Sequence, residues 1–146
     1  MIFDITGLVI HEHDLGILEG ALDSMLLRSL AQSVLLVNRD DGSLIAARGA
    51  LQTLDTLSLA ALAAGAFASS GEIARLVGEP EFSVLFHEGR REHIHVNLAG
   101  DHGLLMTIFD DATTVGLVRL CAREASAQIA RVLAGQSDLQ REAAPR

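Results

Sequence analysis

The sequence predicts a mixed α/β domain in which one antiparallel sheet of five strands carries helices on both faces. Three observations predict this class: helical periodicity near both ends, five short runs of strand-forming residues, and Gly- or Asp-containing turns between consecutive runs. The resulting order is α-β-β-α-β-β-β-α. At 146 residues we expect one domain over residues 1–134, followed by a polar, disordered tail over residues 135–146.

The first third of the chain predicts a helix and a hairpin. Residues His13 to Leu30 repeat leucines at helical spacing, which indicates an amphipathic helix. Ser33 to Asn38 is apolar on both faces and predicts a strand inside the sheet. After the turn at residues 39–42, Leu44 to Ala47 predicts a shorter strand at an edge of the sheet.

The middle of the chain predicts a helix built from small residues. It starts at a cap formed by Thr56 or Ser58, runs to about Val77 and stops at Gly78. Alanine, glycine and serine leave its first four turns without an ordinary polar face. A helix that is apolar or small all round must be covered all round. Its own sheet covers one side, so we expect a second copy or a partner protein on the other.

Three further strands and a last helix complete the pattern. Phe82 to His87 predicts a third strand, and His93 to Leu98 alternates so that its histidine-bearing face is expected to be half-exposed. Leu104 to Phe109 is apolar on both faces and predicts a central strand. Apolar residues from Val118 to Leu133 then follow a helical repeat.

Composition excludes several function classes. All 11 basic residues are arginines, so the lysine of a phosphate-binding loop and a Schiff-base amine are both missing. The arginines are scattered in a chain of net charge -8, which disfavours nucleic acid as a partner. The N-terminus is a poor signal peptide, and no uninterrupted apolar run approaches the roughly 18 residues of a membrane span. With the single Cys121, these features predict a cytoplasmic protein.

Candidate catalytic or metal-binding groups are sparse. His93 and His95 share a strand face, but a zinc site needs three or four converging ligands, so we favour no metal. Asp110 and Asp111 are adjacent at a strand end and should point apart, which argues against an acid-base pair. We expect no active site and no cofactor.

Four motifs, in order, carry a family resemblance. They are LDTLSLAALAAGAFASSGEIARLVGEPEF at Leu54 to Phe82, FHEG at Phe86 to Gly89, IFDDATTVGLVRL at Ile108 to Leu120, and EAS at Glu124 to Ser126. Together they resemble the MglB family of bacterial roadblock proteins, which are related to dynein light chains. The resemblance extends over about Leu26 to Leu133.

The resemblance implies a homodimer in which the middle helices pair and the third strands join edge to edge. It also implies that the dimer binds a small Ras-like GTPase of the MglA type and stimulates GTP hydrolysis without inserting an arginine, in the control of polarity or motility. The implied dimer contacts are Leu62, Gly65, Ser69, Phe82, Val84 and Phe86. The implied GTPase contacts are Ala61, Ala64, Ala68, Glu72 and Arg75.

Other interpretations remain open from the sequence. A roadblock scaffold could dock a GTPase or another roadblock subunit without altering hydrolysis. A small-molecule sensor with a pocket between sheet and helix is disfavoured by the aromatic content of 3%. Arg75 could act as an arginine finger, but an ion pair with Glu72 or Glu79 is the simpler expectation. Glu72 itself departs from the small or neutral residue that is common in the family.

Overall fold

The computed structural model describes the backbone of residues 2–5 and 8–143 and the side chains of residues 10–135. It begins with a β-hairpin that the sequence did not predict: β1 (Ile2–Ile5) pairs antiparallel with β2 (Leu8–His11). Each strand has only four residues, which is too short for a periodicity argument. The hairpin places Ile10 in the hydrophobic core, where it is fully buried.

The next three elements match the sequence expectation closely. Helix α1 (Glu12–Ser29) follows the hairpin directly, and β3 (Ser33–Asn38) is buried along its whole length. The turn at Gly42 has a φ of +75°, a conformation that favours glycine, and leads into β4 (Leu44–Gly49). The strand β4 extends past the predicted end at Ala47.

The second half of the chain contains α2 (Thr56–Leu76), β5 (Val84–Glu88), β6 (His93–Ala99), β7 (Gly103–Phe109) and α3 (Val115–Ala143). The predicted start of β5 at Phe82 is wrong, because the strand begins only at Val84. The described pairing with β6 begins at Val84, and of the preceding residues Ser83 O accepts a hydrogen bond from Leu98 N over 3.3 Å.

The five longer strands form one antiparallel sheet in the order β4-β3-β7-β6-β5. In this sheet β3 and β7 are central, and β4 and β5 are the edges. The predicted five-stranded antiparallel sheet, with the element order α-β-β-α-β-β-β-α after the hairpin, is therefore confirmed.

The two faces of the sheet are covered by different layers. On one face, α1 and α3 pack on each other and on the sheet, and a core that includes Leu18, Leu22 and Ile129 lies between them. On the other face, α2 packs through Ala60, Ala63 and Phe67. The prediction of helices on both faces is confirmed.

Strand β6 corrects one prediction about exposure. His93, His95 and Asn97 were expected on a half-exposed face, but all three are buried, and His95 is only 1% exposed. Helix α3 covers this face of β6, and Asn97 Nδ2 donates to Ser126 Oγ on that helix over 2.6 Å. Strict alternation normally indicates one wet face, but here a helix covers the polar side.

The last helix is longer than predicted. The backbone of α3 continues through Ala143, across most of the segment that was expected to be a disordered tail. After Gly135 the sequence has no proline or glycine until Pro145, so nothing in residues 136–143 interrupts a helix. The end of the predicted tail, residues 144–146, lies outside the described residues.

Candidate functional site

The N-cap of helix α2 lies earlier in the chain than predicted. Asp55, not Thr56 or Ser58, is the N-cap, and its side chain accepts hydrogen bonds from Ser58 N at 3.1 Å and Ser58 Oγ at 2.7 Å. These hydrogen bonds favour the charged carboxylate and lower the pKa of Asp55. The helix ends before Gly78, which has a φ of +84°.

The inner side of α2 packs on the sheet through residues at helical spacing. They are Ala60, Ala63, Phe67, Ser70 and Ala74, all buried. The turn between β3 and β4 also approaches the helix closely. A Cβ added to Gly42 would lie 3.1 Å from Ala61 Cα. Small residues on this flank of the helix therefore let the turn and α2 meet.

The outer side of α2 is apolar and open to solvent in the protomer. Leu62 is 71% exposed and Leu76 is 80% exposed, and Leu57, Ile73 and Val77 are also exposed. Single exposed leucines are common, but a row of them beside small residues on one helix forms a continuous surface. The sequence did not single out Ile73 and Leu76, although they continue the spacing of Leu62, Gly65 and Ser69.

The structure brings the two predicted sets of α2 residues onto adjoining sides of one helix. Ala61, Ala68, Glu72 and Arg75 are exposed, and Ala64 is half-buried next to the Gly42 turn. Leu62, Gly65 and Ser69 are exposed on the neighbouring side. Helical spacing of three and four residues places each set in a stripe along the axis.

Glu72 and Arg75 form an exposed ion pair one turn apart on α2. This is one of the two pairings expected from the sequence, and it occupies the guanidinium of Arg75. Exposed pairs of this kind add little stability, because solvent screens both charges. The pair is the charged end of an otherwise uncharged stripe.

The remaining predicted contact residues lie in the edge strand β5 or just before it. Val84 is half-buried and Phe86 is 37% exposed, while Phe82 lies before the strand. Phe86 is on the α3 side of the sheet, where its ring stacks on Phe109 with centroids 6.2 Å apart. Among the strands that the structure describes, none pairs with the outer edge of β5.

The histidines of β6 lie in different surroundings. His93 Nε2 lies 3.0 Å from Asp111 Oδ1, and burial lowers the pKa of His95 to about 4, with a further contribution from the charge of Arg119. Among the described residues no group of three metal-ligating side chains occurs. Asp110 instead accepts from Gln32 and from Ala112 N, so the two adjacent aspartates serve different partners.

A cleft of about 640 Å³ lies at the end of the sheet beside the start of α2. Its apolar lining comes from Leu54, Leu59, Ile94 and Ile108, and its polar lining includes His87 and Glu92. The lining also includes Ser33, whose Oγ donates to Ala50 O over 3.3 Å rather than to a histidine or a carboxylate. Of the features described so far, this cleft is the most similar to the pocket that a small-molecule sensor would need.

Helix α2 also has the length and composition of a membrane-crossing helix. We expected no membrane-crossing segment because the sequence has no uninterrupted apolar run of that length. The serines and glycines of α2 interrupt such a run, but they barely lower the mean hydropathy of the helix. A single helix of this kind is weak evidence, because the core helix of a globular domain passes the same test, and the inner side of α2 packs on the sheet.

Comparison with known proteins agrees with this geometry. Residues 20–109 match the model of the Roadblock/LC7 domain. Myxococcus xanthus MglB is similar in structure, with a TM-score of 0.81 and 36% identity over 88% of this chain and 96% of that one. The gliding protein MglB of Thermus thermophilus has a TM-score of 0.83 and 30% identity over 90% and 99% of the two chains.

A third solved structure, of an MglB with a tetrameric arrangement, has a TM-score of 0.85 and 29% identity and covers 91% of this chain and 99% of that one. A comparison with curated protein sequences returns no match.

Proposed function

The chain belongs to the Roadblock/LC7 family, and from that premise we propose that it forms a homodimer that binds a small Ras-like GTPase of the MglA type and stimulates its GTP hydrolysis. The observation that carries the proposal is the outer side of α2, which is apolar or small apart from the Glu72–Arg75 pair and is uncovered in the protomer. A helix of this composition is stable in water only when another surface covers it.

The homodimer would cover part of this surface and one sheet edge together. Leu62, Gly65 and Ser69 would meet the same helix of a second copy, because small residues let two backbones approach closely. Val84 and Phe86 would lie where the two β5 edges pair, with Phe82 beside them. Pairing these edges removes an exposed template for aggregation.

The adjoining stripe of α2 would bind the GTPase. Ala61, Ala64 and Ala68 give it a flat surface without long side chains, and Glu72 and Arg75 add one charge of each sign at its end. A flat surface of small side chains suits a protein partner better than a small molecule, because a small molecule needs an enclosing pocket. The half-buried position of Ala64 means that the Gly42 turn would border this contact.

Stimulation would not depend on an arginine finger. Arg75 is the arginine of the stripe, and its guanidinium is engaged by Glu72. The dimer would instead hold the catalytic groups of the GTPase in their reactive arrangement, which lowers the barrier through positioning. In this proposal the protein has no active site or cofactor of its own and acts in the cytoplasm on a system that controls polarity or motility.

The test is GTP turnover by the MglA-type GTPase of the same organism, with and without a twofold excess of this protein. We expect faster turnover and co-elution of two copies with one GTPase. Ala68→Arg should abolish both, because a long charged side chain would stand in the middle of the flat stripe. Ala127→Arg makes the same change at an exposed position of α3 and should leave both intact.

The outcomes separate the proposal from its alternatives. Co-elution that Ala68→Arg abolishes, without a change in turnover, would replace stimulation by a scaffold function. No co-elution and no change in turnover would contradict the proposed partner. A protein that is monomeric at micromolar concentration would contradict the homodimer.

A further inference from the structure

A cleft of about 200 Å³, called the arginine cleft below, lies between the start of β5 and α3, on the opposite side of the sheet from α2. Its lining carries two arginines and no carboxylate. The lining residues are Ser83, Val84, His95, Asn97, Leu98, Arg119, Ala122, Arg123 and Ser126. Neither arginine belongs to an ion pair of the described side chains.

The floor of the cleft contains buried polar atoms that lack a partner. Neither ring nitrogen of His95 nor Oδ1 of Asn97 has a hydrogen-bond partner among the described residues. With a pKa of about 4, the imidazole of His95 is neutral at pH 7 and keeps one N–H to donate. Unsatisfied buried polar groups are costly and usually have an unseen partner. Two arginine side chains that line one cleft without a carboxylate in its lining suit a carboxylate ligand.

The free edge of β5 fixes which residues can pair with another strand. Leu98 N donates to Ser83 O over 3.3 Å, so Ser83 and every second residue after it direct their backbone groups toward β6. The backbone N–H and C=O groups of Val84, Phe86 and Glu88 consequently point outward. These are the groups that a second copy would pair with.

A twofold axis perpendicular to the sheet allows one register that uses all of β5. With Phe86 opposite Phe86 of the partner subunit, Val84 lies opposite the partner's Glu88, and every outward group finds a partner. If the axis passed through Leu85 or His87, the α2 and α3 sides of the two sheets would still match. The pairing would then include residues that lie outside β5. The longest register is therefore the one centred on Phe86.

The direction of the Glu88 side chain places its carboxylate at the arginine cleft of the second copy. Glu88 pairs with His93, and residues directly opposite in an antiparallel pair share a face, so Glu88 points to the α3 side. In its own protomer Glu88 lines the cleft beside the start of α2 and a smaller cleft together with Asp111, another carboxylate. In the dimer it would instead stand beside Val84 of the other copy, which lines the arginine cleft.

We propose that the cleft under α3 is a receptor for the Glu88 carboxylate of a second copy, bound by Arg119 and Arg123, and that this reciprocal contact sets the register of the dimer. The proposal rests on the homodimer of the proposed function. Charge complementarity and the open edge of β5 select a second copy as the occupant.

The first experiment measures the dimer dissociation constant by sedimentation equilibrium. Glu88→Arg should weaken the dimer about tenfold or more, because it opposes like charges in a partly desolvated site. Asp101→Arg, the same charge change in the exposed β6–β7 turn, should stay within about twofold of the parent. Adding Arg119→Glu and Arg123→Glu to Glu88→Arg should restore most of the affinity.

The second experiment tests the register without changing any charge of the cleft. Leu85→Cys and His87→Cys lie on the α2 side of β5, and the proposed register places them opposite each other across the axis. An oxidised mixture of the two single variants should form the mixed disulfide, whereas neither variant should cross-link well to itself.

A strong self-cross-link of either cysteine variant would overturn the register. Equal dissociation constants for Glu88→Arg and Asp101→Arg, in a protein that dimerises, would overturn the glutamate contact and leave the homodimer standing. A parent chain that stays monomeric would overturn the homodimer together with the contact that rests on it.

Discussion

The two faces of the sheet differ in how completely they are covered. On one face α1, α3 and the N-terminal hairpin pack on one another and enclose a core of large aliphatic residues. On the other face α2 lies alone, contacts the sheet mainly through alanines and one phenylalanine, and exposes leucines outward. The first layer, called the finished layer below, is a closed interior apart from the arginine cleft near β5. The second layer has an exposed apolar surface that a partner could cover, and the proposed contacts with the GTPase are on that surface.

The largest expected difference between the layers is in stability. Leu22→Ala, at a fully buried position of the finished layer, should lower the free energy of unfolding by about 2–5 kcal/mol through lost burial and a cavity. Leu62→Ala, on the outer side of α2, should change it by less than about 0.5 kcal/mol in the dissociated protomer. Urea unfolding followed by circular dichroism suits a chain without tryptophan or tyrosine.

Leu62→Ala should also weaken the dimer, whereas Leu120→Ala, at a comparably exposed position of α3, should not. Equal effects of Leu62→Ala and Leu120→Ala on dimerisation would remove the distinction between the two layers.

The finished layer should also carry the stronger pH dependence. Burial lowers the pKa of His95 to about 4, below the ordinary value of 6.5, so the unfolded chain binds the proton more tightly than the folded chain. The stability from this group is complete above pH 6.5 and decreases as the pH falls toward 4. The loss is on the order of 3 kcal/mol.

Thermal melts between about pH 4 and 7 check this prediction in Glu88→Gln, where the proposed partner carboxylate is absent from the cleft. Adding His95→Gln should flatten the profile. A profile unchanged by that second substitution would mean that other groups cause the acid sensitivity.

The smallest expected effect concerns how closely the β3–β4 turn approaches α2. Gly42→Ala should cost about 2 kcal/mol, because the residue has positive φ and its new Cβ would press on Ala61. Gly78→Ala is the matched control: it has positive φ but open space around it, so it should cost only about 1 kcal/mol. Urea unfolding measures both losses of unfolding free energy. Equal losses for Gly42→Ala and Gly78→Ala would show that the β3–β4 turn can shift away from α2 and that the two are not tightly packed.

Sequence patterns predicted the sheet and its helices well because each of these elements has a long, periodic signal. The strands β3 and β7 are apolar on both faces and are central, and the unusual composition of α2 already required a second cover. The errors have local physical causes. The N-terminal strands are too short to show a periodic pattern. The N-cap of α2 was predicted at the wrong residue because Asp55, Thr56 and Ser58 are neighbouring polar residues that can each cap a helix, and the structure has Asp55 in this role.

The burial of His93, His95 and Asn97 could not be predicted, because it depends on where α3 lies on the sheet. The same limit applies to the candidate sites. The motif resemblance supplied the residues of α2, whereas the arginine cleft combines residues from two strands and a helix that are far apart in sequence. No spacing rule joins Glu88 to Arg119.

The composition of α2 also has a thermodynamic consequence for any complex it forms. A leucine, lysine or arginine surface loses rotamer freedom when a partner immobilises it, at about 0.5–1.5 kcal/mol for each side chain. Alanine and glycine have no rotamers to lose. The stripe of Ala61, Ala64 and Ala68 is therefore in its bound conformation before any partner arrives, so contact there entails little loss of side-chain entropy. A modest buried area can then support binding, and a regulator with a modest contact can also release its partner quickly.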